Sequence, residues 1–152
     1  MSTELEELYQ EVILDHSRRP RNFGTLPNAD VLVHGDNPAC GDEIHLGVHF
    51  SPDGKLEEIK FSGQGCAISQ ASASLMTDML VGRSVDEAEQ LMGGFLHLVK
   101  GEDTNGLAAD DRERLDVMAG VSAFPMRVKC ATLAWHTMKS ALEGGPAPAK
   151  TE

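Results

Sequence analysis

The sequence has no long apolar run: nowhere in its 152 residues do about 18 apolar residues follow one another, the length needed to cross a membrane. Met1–Glu6 also lacks the basic region and apolar run of a secretory signal. From these absences we expect a cytoplasmic protein without a membrane partner, in which thiols stay reduced.

The length predicts one domain over residues 1–152, with an ordered core of about residues 4–142 and a frayed tail over 144–152.

Positive charge is scarce as well. The chain has 13 Lys and Arg residues against 24 Asp and Glu residues, a net charge of −11. A strongly negative domain repels phosphate backbones, so we expect no nucleic-acid partner. The simplest interpretation of the acidic surface is solubility, and docking on a basic protein surface is the alternative.

Cysteine occurs only three times, as Cys40, Cys66 and Cys130. An odd count without a secretory signal argues against a disulfide framework and favours reactive thiols or metal ligands. With Asp42 the chain offers four anionic donors, the number that tetrahedral zinc takes. The 25 and 63 residues that separate the cysteines match no compact zinc finger. Three small buried thiols therefore remain an alternative to a shared metal site.

The settings of the cysteines favour the shared site. Cys66 follows Gly63-Gln64-Gly65 and precedes a predicted helix, and Cys130 follows Lys129 near the predicted first turn of the last helix. Helix starts and neighbouring cations favour thiolate over thiol. Cys40 lies in a predicted loop beside Gly41, so we expect it to be the most mobile of the three.

Periodicity predicts an α+β domain with a small antiparallel three-stranded sheet packed by helices. Alternating apolar residues predict a half-buried central strand over 43–50, with neighbours at Val31–His34 and around Ile59 and Phe61. Helical spacing predicts five helices. They are an N-terminal helix ending near His16, one from Ala67, one after a Ser84–Glu87 capping box and weakened at Gly93-Gly94, one over Arg112–Met118, and one over Val128–Leu142.

Two histidines, His45 and His49, share a face of the central predicted strand and could bind a metal together. A solvated or packed sheet face is the simpler interpretation. For His16 we expect a structural or docking role. No Cys–His pair can be assigned from the sequence, which argues against a cysteine hydrolase.

Five ordered segments resemble the SufU branch of the IscU/NifU-N family of iron–sulfur cluster assembly proteins. They are Leu8–His16, Pro20–Asn22, Asn37–Asp42, Gly65–Ser69 with Ala71–Ser74, and Arg127–Trp135. The resemblance runs from about Glu4 to Leu142 and implies the family's α+β fold. It also implies that Cys40, Asp42, Cys66 and Cys130 are metal ligands for Zn2+.

The same resemblance implies a zinc-dependent sulfurtransferase that acts with a SufS-like cysteine desulfurase rather than as a free-standing enzyme. Cys40 would be the catalytic acceptor of persulfide sulfur. The alternative is a scaffold protein, in which Cys40, Cys66 and Cys130 would hold a transient [2Fe-2S] cluster during its assembly. The cluster would then pass to a Suf scaffold complex or to apo iron–sulfur recipients. A plain zinc-stabilised interaction module is a third reading of the same donors.

Two departures from the IscU branch favour the sulfurtransferase. Lys129 replaces the His that IscU-type proteins carry before the last Cys, and Ala123–Arg127 replaces their Leu-Pro-Pro-Val-Lys chaperone element. The long Arg83–Gly120 segment is a further SufU-like feature.

Overall fold

A computed structural model describes residues 3–104, 106–143 and 149–150. In chain order its elements are α1 (Thr3–Arg18), β1 (Val31–Asn37), β2 (Asp42–Phe50), β3 (Leu56–Gln64), α2 (Ala67–Leu80), α3 (Val85–Val99), α4 (Ala109–Leu115), a 3-10 helix (Asp116–Ala123), α5 (Pro125–Leu142) and β4 (Ala149–Lys150). The predicted α+β class is confirmed. Among the described residues, no helix combines the length and the apolar character that a membrane span requires.

The sheet has the strand order β3-β2-β1-β4. β1 pairs with β2 and β2 with β3, both antiparallel, so the predicted three-stranded antiparallel sheet is confirmed. The two-residue β4 adds to the free edge of β1 in parallel, opposite Gly35 and Asp36. Of the predicted frayed tail, residues 149–150 form β4, and residues 144–148 and 151–152 lie outside the described part of the chain.

One face of the sheet packs against the helices because the apolar strand residues alternate. Inward side chains of β1 and β2, such as Val33, Leu46 and Val48, are buried in the core. On the helical side, Trp135 of α5 is fully buried and stacks on Phe95 with the ring centroids 4.1 Å apart. The core thus lies between the sheet and α2, α3 and α5.

Small residues on α2 let α5 approach closely. Ser72 is fully buried, and its Oγ accepts a hydrogen bond from Trp135 Nε1 at 3.0 Å while donating to the Ala131 carbonyl at 2.6 Å. These buried polar atoms therefore have hydrogen-bond partners within the interface, as nearly all buried polar groups do.

Several predicted boundaries differ from the structure. α1 continues to Arg18, two residues beyond His16, and the Arg19 N–H still bonds to the Asp15 carbonyl at 2.8 Å before Pro20 ends the helix. β1 continues three residues past His34 to Asn37. The helix predicted over Arg112–Met118 is instead α4, which ends at Leu115, followed by the 3-10 helix. The buried residues Leu115, Met118 and Val121 lie three positions apart, which is the period of a 3-10 helix.

The helix α3 is confirmed in detail. Its capping box is present, with Glu87 N–H donating to Ser84 Oγ at 3.2 Å and Ser84 N–H donating to Glu87 Oε1 at 3.0 Å. The helix runs without a break through Gly93-Gly94. A Cβ at Gly94 would overlap the side chain of Leu107, so this glycine makes room for a packed neighbour.

Candidate metal centre

The hairpin between β1 and β2 places two predicted site residues next to each other. The N–H groups of Cys40 and Gly41 both donate to the Asn37 carbonyl, at 3.1 and 3.0 Å, and close a tight turn. Gly41 takes a φ of +73°, which glycine adopts without steric cost. The turn leaves Cys40 exposed at its tip and puts Asp42, only 1% exposed, at the start of β2.

A third predicted residue comes from the last helix. Cys130 is buried on α5, and its Sγ lies 3.4 Å from the Sγ of Cys40. One donor atom each from Cys40, Asp42 and Cys130 lies within 4.8 Å of the others. The structure therefore brings together three of the four predicted metal ligands, although they are far apart in the sequence.

Cys66 borders this group. It is the N-cap residue of α2, and its Sγ accepts a hydrogen bond from the Ser69 N–H at 3.4 Å. Its own N–H donates to Asp42 Oδ1 at 3.0 Å. The backbone of Cys66 is thus tied to the site through Asp42, but the Cys66 thiol is not one of the three donors that lie within 4.8 Å of one another.

The close approach of Asp42 to the start of α2 depends on a glycine. A Cβ at Gly65 would lie 2.8 Å from Asp42 Oδ1 and 3.1 Å from Ser69 Oγ. Glycine directly before a predicted N-cap cysteine is the signal that could have identified a position where a carboxylate contacts the backbone.

Burial controls the chemistry of Cys130. The pKa of its thiol is raised, first by burial and then by hydrogen-bonding contacts with Cys40, Asp42 and Cys66. Burial therefore opposes the thiolate expected for Cys130, a cost that a bound cation would offset. Because α5 begins at Pro125, Cys130 lies in the second turn, beyond the reach of the helix-terminal charge.

One of the flanking cations has a partner outside the site. The Arg127 guanidinium lies over the ring of Phe124, 4.6 Å from its centroid. The expected contribution of Lys129 and Arg127 to a Cys130 thiolate stays a prediction.

The donor group fits a bound cation. Asp42 is buried, and its Oδ2 has no hydrogen-bond partner among the described residues. A buried carboxylate oxygen without a partner is costly unless a positive charge offsets it. A coordinating metal also deprotonates thiols that burial would otherwise keep neutral. Thiolates with one carboxylate suit zinc and iron–sulfur clusters.

The metal-binding pair considered for His45 and His49 is not formed, in agreement with the simpler interpretation of a sheet face. His45 stacks against His34, whereas His49 Nε2 lies 3.2 Å from the Pro27 carbonyl and its Nδ1 lies 3.6 Å from the Asp30 carboxylate. In the part of the chain that the structure describes, the cysteine-containing metal group includes no histidine.

His16 has a structural contact rather than a place in the site. Its Nδ1 lies 2.8 Å from the Oγ of Ser74, and the ring is buried. The contact joins α1 to α2, which supports the structural role expected for His16.

The fold and these donors define a small α+β domain with a thiol-rich candidate metal site where a hairpin meets two helices. The chain belongs to the NifU-like N-terminal domain family, which matches residues 8–131. The family resemblance seen in the sequence is thereby confirmed.

Two curated relatives cover most of the chain. The iron–sulfur cluster assembly scaffold protein IscU of Streptococcus pyogenes is 43% identical over 93% of this chain and 86% of its own. The zinc-dependent sulfurtransferase SufU of Bacillus subtilis is 39% identical over 93% of this chain and 95% of its own.

Solved structures share the fold. A crystal structure of a hypothetical protein is 42% identical with a TM-score of 0.82, over 91% of this chain and 98% of its own. A Fervidobacterium islandicum protein, described as a candidate cluster assembly scaffold of the SUF system, is 35% identical with a TM-score of 0.77, over 93% of this chain and 99% of its own.

Proposed function

We propose that this protein acts in iron–sulfur cluster assembly as a zinc-dependent acceptor and carrier of persulfide sulfur from a cysteine desulfurase. One observation carries the proposal: the exposed Cys40 thiol lies in a turn, 3.4 Å from the buried Cys130 thiol and beside the buried Asp42 carboxylate. The name of the Bacillus subtilis relative supports the same assignment.

The ligands of the metal in this proposal are Cys40, Asp42, Cys66 and Cys130. Three of them already lie within 4.8 Å of one another, and rotation of the Cys66 side chain away from the Ser69 N–H would supply the fourth. When bound, Zn2+ would stabilise the thiolate forms of these cysteines. We prefer Zn2+ because three thiolates and one carboxylate complete a closed tetrahedral set.

Cys40 is the residue best placed to accept sulfur. Cys130 is buried on α5, and Cys66, although exposed, is held at its helix start by the Ser69 N–H. Cys40 is exposed at the tip of a hairpin, next to the conformationally permissive Gly41. Among the three thiols, it is therefore the one that a partner's active site can reach with the smallest change in this protein.

The transfer step is a thiol–persulfide exchange. The Cys40 thiolate attacks the outer sulfur of the persulfide on the desulfurase cysteine, and a new sulfur–sulfur bond forms on Cys40. The bond between the two desulfurase sulfurs breaks, and its electron pair leaves with the desulfurase cysteine as a thiolate. Sulfur moves from one chain to the other without an added oxidant or reductant.

The partners in this proposal are a SufS-like desulfurase as donor and, downstream, a Suf scaffold complex or apo iron–sulfur proteins in the cytoplasm. Desulfurase turnover on cysteine, measured with and without the protein, tests the proposal. We expect stimulation by wild type and by Ala39→Ser, a control in the same exposed turn, and none by Cys40→Ala. Equal turnover in all reactions would contradict the proposal.

A second candidate function is a scaffold for a [2Fe-2S] cluster. The scaffold names of the Streptococcus relative and of a Thermotoga maritima relative, 38% identical over 90% of this chain, favour it. The same thiols suit both cargoes. Anaerobic purification followed by iron and sulfide analysis separates the two: a scaffold retains both elements in cluster proportion, and a zinc-dependent carrier retains zinc.

A further inference from the structure

The outward face of the β1–β2 hairpin carries two histidines and a glutamate side by side. His34 and His45 are cross-strand partners, and their rings stack with centroids 4.7 Å apart and planes at 29°. Glu43 lies on the same face, two residues before His45. One donor atom from each of the three residues lies within 4.8 Å of the others. His34 and Glu43 are half-buried and His45 is exposed, so the group is open to solvent.

The charges around this group favour a cation. Glu43 is the cross-strand partner of Asp36, so two carboxylates face each other across the hairpin, an arrangement that is unfavourable without a counter-ion. The Oδ1 atom of Asp36 is buried and has no hydrogen-bond partner among the described residues. The other strand partner of Asp36 is Lys150 of β4, whereas the other strand partner of Glu43 is the uncharged Gln64. A positive ion beside Glu43 would therefore offset the charge that the strand register leaves without a basic neighbour.

Two imidazole nitrogens and one carboxylate oxygen form a donor set that binds Zn2+ and related divalent ions. We propose that His34, Glu43 and His45 form a second divalent-metal site, which takes Zn2+ or an ion of the same class and leaves a fourth position for water. The site contains no thiol, so its zinc affinity is lower than that of the thiol centre. It is independent of the sulfur-transfer proposal, because it concerns metal binding alone.

The two sites lie on opposite faces of one hairpin. Asp42 is buried under the sheet, and the next residue along β2, Glu43, has its side chain on the outer face, as strand alternation requires. Each site can therefore be removed without taking a donor from the other. Wild-type protein in excess zinc should then hold two ions per chain, one at each face.

Equilibrium dialysis against buffered Zn2+, followed by metal analysis, tests the second site. We expect a tight first equivalent and a weaker, saturable second one. In His34→Asn, Glu43→Gln and His45→Asn, the second equivalent should bind at least about tenfold more weakly, since even the loss of an outer hydrogen-bond partner of a ligand costs 10–100-fold. With Co2+ as the second ion, the spectrum should lack a thiolate-to-cobalt charge-transfer band.

His97→Asn is the matched control, because His97 is an exposed histidine paired with a single carboxylate, Glu102, at 2.7 Å. It should keep both equivalents. Retention of the first equivalent shows that each variant is folded. The proposal would be overturned if wild type bound no second equivalent of Zn2+. It would also be overturned if all three hairpin variants bound the second equivalent as tightly as wild type does.

Discussion

The carboxylate of Asp42 and the backbone of Cys66 are directly joined: Asp42 Oδ1 accepts the Cys66 N–H at 3.0 Å. This bond connects the start of β2 to the first turn of α2 and leaves the other carboxylate oxygen, Oδ2, buried and without a partner among the described residues. One oxygen of Asp42 therefore has a structural role, and the second is available to a cation.

Metal removal should lower the stability of the protein. A ligand that binds only the folded state adds about 2.7 kcal/mol when its concentration is 100 times its Kd. Asp42→Asn retains an amide oxygen that can accept the Cys66 N–H but removes the anionic donor. We expect at least about tenfold weaker zinc binding, which reduces the metal-dependent stabilisation by about 1.4 kcal/mol or more. Chemical denaturation with zinc and with a chelator measures both quantities.

Asp42→Ala is the companion variant, because it removes the hydrogen bond as well as the donor. Its chelated form should fall below the chelated Asp42→Asn form by about 0.5–1.5 kcal/mol, the net contribution of one hydrogen bond. If wild type and both variants lost the same stability on chelation, Asp42 would have no role in holding the metal.

Gly65→Ala should disturb the metal centre without touching a donor. The new Cβ would lie 2.8 Å from Asp42 Oδ1, so the carboxylate has to move away from the Cys66 N–H. We expect a zinc affinity at least about tenfold lower, measured by competition with a chelating dye. Gly120→Ala, where a Cβ meets nothing within 4 Å, is the control. Equal affinities of the two variants would show that the contact with Gly65 is not needed.

His16 should make stability depend on pH. Its pKa is lowered in the folded protein, first by burial and then by the charge of Arg21. Below about pH 6.5, His16 is protonated in the unfolded chain but resists protonation in the folded protein. The contribution of His16 to the free energy of unfolding is therefore fully present above this pH and declines below it.

The pH effect is measured by urea unfolding in chelator between about pH 7.5 and 5.5, a range that spans the unfolded histidine pKa. His16→Gln should lose stability less steeply than wild type over this range. The pKa of His136 is also lowered by burial, so some slope should remain. His97→Gln serves as the exposed control. Parallel slopes for wild type and His16→Gln would refute this account.

The sheet and most helices could be predicted because their signals are local. Alternation at Ile44, Leu46 and Val48 and the Ser84–Glu87 capping box each depend on residues a few positions apart. The short strand β4 could not be predicted, because its two residues have no pattern of their own and pair with β1, more than 100 residues earlier in the chain.

The donors of the metal centre were predicted by resemblance, whereas their environment was not. The apolar pattern starts at Val128 and so placed Cys130 near the first turn, whereas α5 begins at Pro125, a residue that is common at the first helical position. The burial of Cys130 depends on tertiary packing, which no local pattern contains. The same limit explains the histidines. Spacing along β2 suggested His45 with His49, but the strand pairing puts His34 opposite His45. Side-chain partners across a sheet depend on register, which the sequence of one strand does not contain.

The central claim is that Cys40 accepts the sulfur, and peptide mass spectrometry tests it most directly. The protein is incubated with a SufS-like desulfurase and cysteine, its thiols are alkylated, and the cysteine peptides are compared. We predict one added sulfur on the peptide that carries Cys40, and none on this peptide when desulfurase is omitted. Added sulfur chiefly on Cys66 or Cys130, or a Cys40→Ala variant that still accepts a full equivalent, would contradict the account.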